Sequence, residues 1–228
     1  MSADPLKAVA AEAAVEAEVR SGMRLGLGTG STAVLMLDAL ARRLADGRLV
    51  DVAGVPTSEA TAARARELGL PLLTLADQPQ LDVTIDGADE IDPALRLIKG
   101  MGGAHLREKV VAVASRRMVV CADESKLVER LGQRMPLPAE VIPFAVPVCR
   151  RLLAGLGWQA ELRMADGAAF VTDEGNHIFD CTRPDWSDPE ALAADLDGIP
   201  GLVEHGLFLG IARAAYVASS EGARTLLA

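Results

Sequence analysis

The chain has 228 residues, 50% of them hydrophobic and 24% charged, and a formal net charge of −9. At roughly 150 residues per domain, that is one large domain or one with a smaller companion, with enough chain to bury a sizeable core. The apolar content excludes a disordered chain, no apolar run reaches the ~18 residues of a membrane span, and acidity with 3% aromatics argues against a nucleic-acid binder.

Residues 5–20 set Ala and Val against Glu and Arg at helical spacing, which predicts an amphipathic helix. Met23–Leu27 is a short apolar run that breaks into Gly28-Thr29-Gly30-Ser31-Thr32, and Ala33–Ala45 follows with helical character, so the order is strand, glycine loop, helix. Leu49–Val55 predicts a second strand, and Thr57-Ser58-Glu59 opens a helix that Gly69 closes. Leu70–Leu75, Leu81–Ile85 and Leu95–Ile98 are further apolar runs; a helix is expected over 103–115 and a strand over Met118–Cys121. Apolar strands alternating with helices predict a Rossmann-like, doubly wound parallel sheet of the α/β class.

The character changes near Gly132, where Gln133–Pro138 has the composition of a linker. Beyond it the expected elements are a strand at 140–143, a helix at 146–156 and a strand at 158–164. A hairpin of 168–172 and 176–181 across Asp173-Glu174-Gly175 follows, then a helix at 189–196 and a strand at 201–204. That order predicts a smaller α+β unit of split-βαβ, ferredoxin-like type. Ala214–Ala218 is expected to return to the first sheet. The expected division is an α/β catalytic domain of residues 1–132 plus 207–228 and an α+β domain of residues 133–206.

Four segments carry chemistry. Gly28–Thr32 lies between a strand and a helix, where glycines permit close backbone approach and the helix N-terminus favours phosphate. Ser31 stands where a dinucleotide fingerprint needs its third glycine, and no Gly-Lys-Ser/Thr follows, so the choice is a phosphate loop of another kind or a structural turn. Asp86-Gly87-Ala88-Asp89-Glu90 ends an apolar strand, as carboxylates for a polyol, as metal ligands, or as an ordinary polar loop. Lys99-Gly100-Met101-Gly102-Gly103 precedes a helix bearing Glu108 and Lys109, which form either an acid/base apparatus with Lys99 or a solvated helix face. His105, in the first turn of that helix, is expected to be a surface or capping residue. Ala122-Asp123-Glu124-Ser125-Lys126 follows a fourth strand end. The only lysines are Lys7, Lys99, Lys109 and Lys126, every other basic residue being arginine, and all but Lys7 lie at these segments.

In combination these segments resemble the ribose-5-phosphate isomerase family of the A type. Further matches are Pro136-Leu137-Pro138-x-Glu140-Val141-Ile142-Pro143, Thr172-Asp173-x-Gly175-Asn176 and Gly206-Leu207-Phe208. The resemblance implies an aldose–ketose isomerase that interconverts ribose 5-phosphate and ribulose 5-phosphate through an enediolate, in the non-oxidative pentose phosphate pathway. It implies no metal and no cofactor, a sugar phosphate as small-molecule partner, no nucleic acid or membrane partner, and a homodimer or homotetramer. By the family pattern Glu108 is the base, Asp86 and Asp89 bind or relay protons at sugar oxygens, and Lys99 stabilises negative charge or holds phosphate. Thr29, Gly30, Ser31, Thr32, Gly87, Ala88, Gly100, Met101 and Gly102 cradle the substrate, with Lys7 and Lys126 as further cationic contacts. Met101 stands where the family often has glycine, and Lys109 is expected to be structural.

The competing readings are a sugar-phosphate-sensing regulatory domain, an acyl-CoA transferase or glucosamine-phosphate deaminase of similar architecture, and a dehydrogenase. The acidic chain offers no room for a helix-turn-helix ahead of the first strand, the combined motifs are absent from the second class, and the broken fingerprint disfavours the third. Cys121, Cys149 and Cys181 have no metal-binding spacing and are expected to be packed free thiols. The first twenty residues, with three glutamates and no continuous apolar stretch, do not resemble a signal or transit peptide, which makes the cytoplasm the expected location.

Overall fold

The computed structural model describes residues 5–228. In chain order it forms α1 (Pro5–Glu18), β1 (Arg24–Leu27), α2 (Ser31–Ala45), β2 (Ala53–Pro56), α3 (Glu59–Glu67), β3 (Val83–Asp86), β4 (Glu90–Ile91), β5 (Leu97–Ile98), α4 (His105–Val113) and β6 (Met118–Asp123). Then come β7 (Leu137–Val141), α5 (Val146–Gly155), β8 (Gln159–Leu162), β9 (Met164–Ala165), β10 (Ala168–Ala169) and β11 (His177–Thr182). Last are α6 (Pro189–Asp197), β12 (Leu202–His205), β13 (Leu207–Phe208), β14 (Ala212–Ser219) and β15 (Gly222–Leu227). Two compact units divide the chain. The first holds the described residues as far as Ala88, with Arg107–Lys126 and Gly210–Ala228; the second holds Asp89–Leu106 and Leu127–Leu209.

The first unit is built on a six-stranded sheet in the order β15-β14-β6-β3-β1-β2, parallel except for β15. Every residue of β3 and β6 is buried, as a parallel sheet covered on both faces requires. Ala10, Ala11, Ala14 and Val15 of α1 are small enough to let that helix lie close against α2, β6 and β14. The Glu12 carboxylate of α1 pairs with both Arg42 and Arg43 of α2. Ser58 caps α3 by accepting the Thr61 N–H at 3.0 Å.

Two expectations need correction here, and one element was not anticipated. The second strand begins only at Ala53, because Asp51 takes a positive φ of 54° and bends the chain just before it. Leu70–Leu75 makes no strand, only an isolated bridge between Leu72 and Gly54. The edge strand β15 had no apolar run to announce it: five of its six residues are exposed, and backbone pairing with β14 suffices to form it.

The second unit holds an antiparallel sheet in the order β12-β7-β11-β8, with α5 after β7 and α6 before β12, a ferredoxin-like split-βαβ arrangement. The expected hairpin is rearranged. The turn at 172–176 forms, with Gly175 N–H donating to Thr172 O, but β10 pairs with β9, and β11 pairs with β7 and β8. The core is anchored by Trp158 and Trp186, packed edge to face at 5.4 Å. A separate small sheet, β13-β5-β4, carries the segment that leads to Lys99. No helix of the described residues is long and apolar enough to cross a membrane.

Glu90 is fully buried on β4 and accepts three backbone N–H groups: Gly132 at 2.7 Å, Arg134 at 2.6 Å and Met135 at 2.8 Å. This one carboxylate closes the 132–135 segment, whose polar composition had suggested a free linker. Replacing Glu90 by Ala removes the acceptor of three part-buried N–H groups, so unfolding free energy is expected to fall by about 2 kcal/mol, measured by urea denaturation.

Candidate active site

In the first unit the parallel register sets Leu27 beside Ile85, so β1 and β3 end together and Gly28 faces Asp86. A Cβ at Gly28 would lie 2.2 Å from Asp86 Oδ1, so only glycine leaves room for that carboxylate. Asp86 is fully buried, and its Oδ1 accepts the Thr29 N–H at 3.0 Å and the Gly87 N–H at 2.7 Å. The Thr29 hydroxyl enters a cluster the sequence reading missed, 2.7 Å from Thr57 Oγ1, 2.9 Å from Ser58 Oγ and 3.2 Å from Thr61 Oγ1. The Thr61 hydroxyl in turn donates to Gly28 O at 2.9 Å. Short hydroxyl side chains are too common in loops for such a cluster to be legible in a sequence.

Gly30 adopts φ 101° and precedes α2 with no side-chain cap, which leaves the first-turn N–H groups of a 15-residue helix pointing out of exposed Gly30 and Ser31. Lys7 Nζ donates to Ser31 Oγ at 3.2 Å. Burial alone would raise the Asp123 carboxyl, but the Ser125 O–H and N–H and the charges of Lys126 and Lys7 carry it below its ordinary value. The charges of Lys7 and Lys126, which lie far apart in sequence, thus both act on the same carboxylate.

Glu108 on α4 is 4% exposed. Together with His105, Val111 and Ala112 it falls on one buried face at helical spacing, which overturns the solvated-face reading of that residue. Its neighbour Arg107 is drawn aside by Glu59 at 2.9 Å, a contact that holds the Glu59 carboxyl below its ordinary value. Lys109 is half-buried.

In the second unit Lys99 is 3% exposed, with Nζ 5.5 Å from the centre of the Phe208 ring. Its backbone N–H donates to Gly206 O at 2.9 Å, and a Cβ at Gly206 would meet Lys99 O at 2.1 Å, which accounts for glycine there. Asp89 Oδ2 accepts the Met101 N–H at 3.0 Å. His105 is fully buried rather than a surface or capping residue. A Cβ on Gly100 would come within 2.6 Å of its Nδ1, while its Nε2 lies 3.9 Å from Glu140 Oε2. Glu140 Oε1 accepts Thr172 Oγ1 at 2.8 Å and Asn176 Nδ2 at 3.0 Å, so two of the distant motifs meet at one buried carboxyl. Burial pushes that carboxyl above its ordinary value despite the hydrogen bonds from Asn176 and Thr172.

Asp197, Glu204 and His205 each place one candidate ligand atom within 4.8 Å of the others. His205 Nδ1 accepts the Leu207 N–H at 3.2 Å, so the neutral ring carries its proton on Nε2, 3.2 Å from Asp197. That ring offers a metal no lone pair. The three cysteines are free and buried, and burial pushes the Cys181 thiol far up, which suits packing rather than nucleophilic attack.

In the first unit a buried carboxylate, a glycine loop and an uncapped helix N-terminus lie at the ends of parallel strands, the place where α/β enzymes hold small anionic ligands. The family model for ribose 5-phosphate isomerase A (phosphoriboisomerase A) matches residues 53–222. A ribose-5-phosphate isomerase A from Roseiflexus sp. (strain RS-1) is 62% identical over 90% of this chain and 88% of its own. A solved D-ribose-5-phosphate isomerase in complex with phospho-erythronic acid superposes with a TM-score of 0.95 at 38% identity, covering 100% of both chains. The ribose 5-phosphate isomerase A of Methanocaldococcus jannaschii gives 0.93 at 40% identity, over 98% of this chain and 99% of that one. The chain belongs to the ribose 5-phosphate isomerase A family and is an aldose–ketose isomerase.

Two outcomes are expected. Gly28→Ala displaces the Asp86 carboxylate by an ångström or more and lowers kcat/KM by about 100-fold in an isomerase assay. Glu140 has a folded-state pKa raised above its unfolded value, so its native form binds more protons and stability falls as pH rises from 4.5 toward that raised value. Glu140→Gln keeps the acceptor without the charge, so its urea midpoint should gain on that of the unaltered protein between pH 4.5 and pH 7.

Proposed function

We propose that Glu108 is the base that moves the proton between C1 and C2 of the sugar phosphate in the interconversion of ribose 5-phosphate and ribulose 5-phosphate. Enediolate chemistry needs one base next to the carbonyl carbon, a relay at the two oxygens, and stabilisation of the developing charge. Asp86 and Asp89 hold the sugar hydroxyls and pass protons at the oxygens. Lys99 stabilises the enediolate, and the backbone of Gly87, Ala88, Gly100, Met101 and Gly102 lines the sugar.

The phosphate is assigned to Thr29, Gly30, Ser31 and Thr32 at the α2 N-terminus, with Lys7 and Lys126 supplying charge. The contact of Lys7 with Ser31 and the joint effect of Lys7 and Lys126 on Asp123 support that end of the assignment. The observation that carries the whole reading is burial: Asp86, Glu108 and Lys99 are 0%, 4% and 3% exposed. Ionisable groups are costly to bury, and burial of these three on the segments that the family pattern assigns to substrate supports a chemical role for them. The phosphorylated sugar acid in the solved relative belongs to the same class of ligand.

The residues named supply base, relay and charge without a metal or cofactor. The three free, buried cysteines support a reducing cytoplasmic setting, and the family resemblance supports a homodimer or homotetramer.

The test is conversion of ribose 5-phosphate to ketose, assayed with excess EDTA. Activity is expected to persist under chelation, and Glu108→Gln is expected to lower kcat by about 1000-fold with substrate binding retained. Near-normal turnover in Glu108→Gln would move the base to another residue, and loss of activity with EDTA would overturn the metal-free chemistry.

A further inference from the structure

Arg163 lies in the second unit, between β8 and β9. Its Nη1 donates to Gly100 O at 3.0 Å and to Met101 O at 3.1 Å. Its Nε donates to Asp180 Oδ2 at 3.0 Å, and its Nη2 pairs with Asp180 Oδ1. The guanidinium also lies 5.8 Å from the centre of the Phe170 ring, and Met101 Sδ is 3.9 Å from Nη2. One planar cation is therefore clamped on one side by a carboxylate and bonded on the other to two successive carbonyls of the Lys99–Gly103 loop.

The loop has little freedom to move elsewhere. Gly100 and Gly103 both take positive φ, 106° and 79°. Gly103 N–H closes the turn onto Gly100 O at 3.0 Å. Gly100 packs against the His105 ring and Gly103 against the Phe170 ring, each leaving no space for a Cβ. In a trans peptide the carbonyl and the following N–H point opposite ways, and the described residues contain no cis bond. Fixing the carbonyls of Gly100 and Met101 on Arg163 therefore turns the N–H groups of Met101 and Gly102 to the far side. There the Met101 N–H donates to Asp89 at 3.0 Å.

We infer that Arg163, held by Asp180, is a positioning residue that sets the peptide orientation of the Lys99–Gly102 loop and thereby presents the Gly102 N–H, Lys99 and the Asp89 carboxylate held by Met101 N–H to substrate. The inference rests on the proposed reading that this loop meets the substrate. Lysine cannot replace it, because a single ammonium does not span two carbonyls and a bidentate carboxylate.

The test is steady-state isomerase kinetics on Arg163→Ala, Arg163→Lys and Asp180→Asn beside Lys99→Ala, each with its urea unfolding curve. A misplaced loop is expected to lower kcat about 10- to 100-fold in both Arg163 variants, with a smaller change in KM and a smaller loss in Asp180→Asn. Millimolar guanidinium, far below denaturing concentrations, is expected to restore several-fold of the kcat of Arg163→Ala and none of that of Lys99→Ala. Wild-type kinetics in Arg163→Ala with Lys99→Ala impaired would overturn the positioning role and leave the active-site reading standing. Wild-type kinetics in Lys99→Ala would overturn the reading of the loop itself. A loss in Arg163→Ala that tracks a lowered unfolding midpoint and ignores guanidinium would make Arg163 merely structural and also overturn the inference. Should Arg163→Ala not fold, Asp180→Asn decides: a kcat loss at an unchanged unfolding midpoint supports the role, and unchanged kcat overturns it.

Discussion

The constraint on which the first unit depends is the side-by-side ending of β1 and β3. Their parallel register brings Gly28 against Asp86, and the missing side chain at 28 is the space the carboxylate fills. A buried carboxylate is tolerated only when it is hydrogen-bonded, and the Thr29 and Gly87 N–H groups meet that requirement. The same bonds direct the chain out of β1 toward Gly30, where α2 begins without a side-chain cap. One interaction thus orients the acid, the glycine loop and the helix N-terminus at once. The hydroxyls of Thr57, Ser58 and Thr61 hold the other side of Thr29.

The second unit reaches the same end by different means. Backbone carbonyls and aromatic faces, more than carboxylates, place its groups. Lys99 is fixed by its pairing with Gly206 and by the Phe208 ring, and the loop beyond it by glycine turns against His105 and Phe170. Glu90 and Glu140 are each buried for a scaffold reason, one closing a segment through three N–H groups and the other collecting Thr172 and Asn176. The loop groups proposed to react thus stand on rigid supports, the usual division of labour in enzymes.

Much of the candidate site was legible because its backbone demands leave a residue signature. A loop that must turn with positive φ or approach a carboxylate needs glycine, so Gly28, Gly30, Gly100 and Gly103 stand out in any reading. Arginine throughout the rest of the chain likewise marked Lys99 and Lys126. Arg163 was hidden for the converse reason: in a chain that uses arginine almost everywhere, one more at a strand end carries no signal. His105 was misjudged, and Glu108 stood open between a reactive group and a solvated face on its own segment, because a nine-residue helix offers too few turns for its buried face to be read from periodicity. The hairpin at 168–181 went astray because strand partners depend on residues far along the chain, not on the turn between two arms.

By itself, the sequence determined the order of the principal strands and helices, the glycine loops and the inventory of ionisable groups, since these follow from local backbone preferences and residue chemistry. Only the tertiary structure decided which of those groups lie buried, that Lys7 reaches Ser31, that Thr172 and Asn176 meet Glu140, and that Arg163 grips the loop beyond Lys99. Burial and encounter are set by the packing of elements distant in the chain, and no local pattern encodes them.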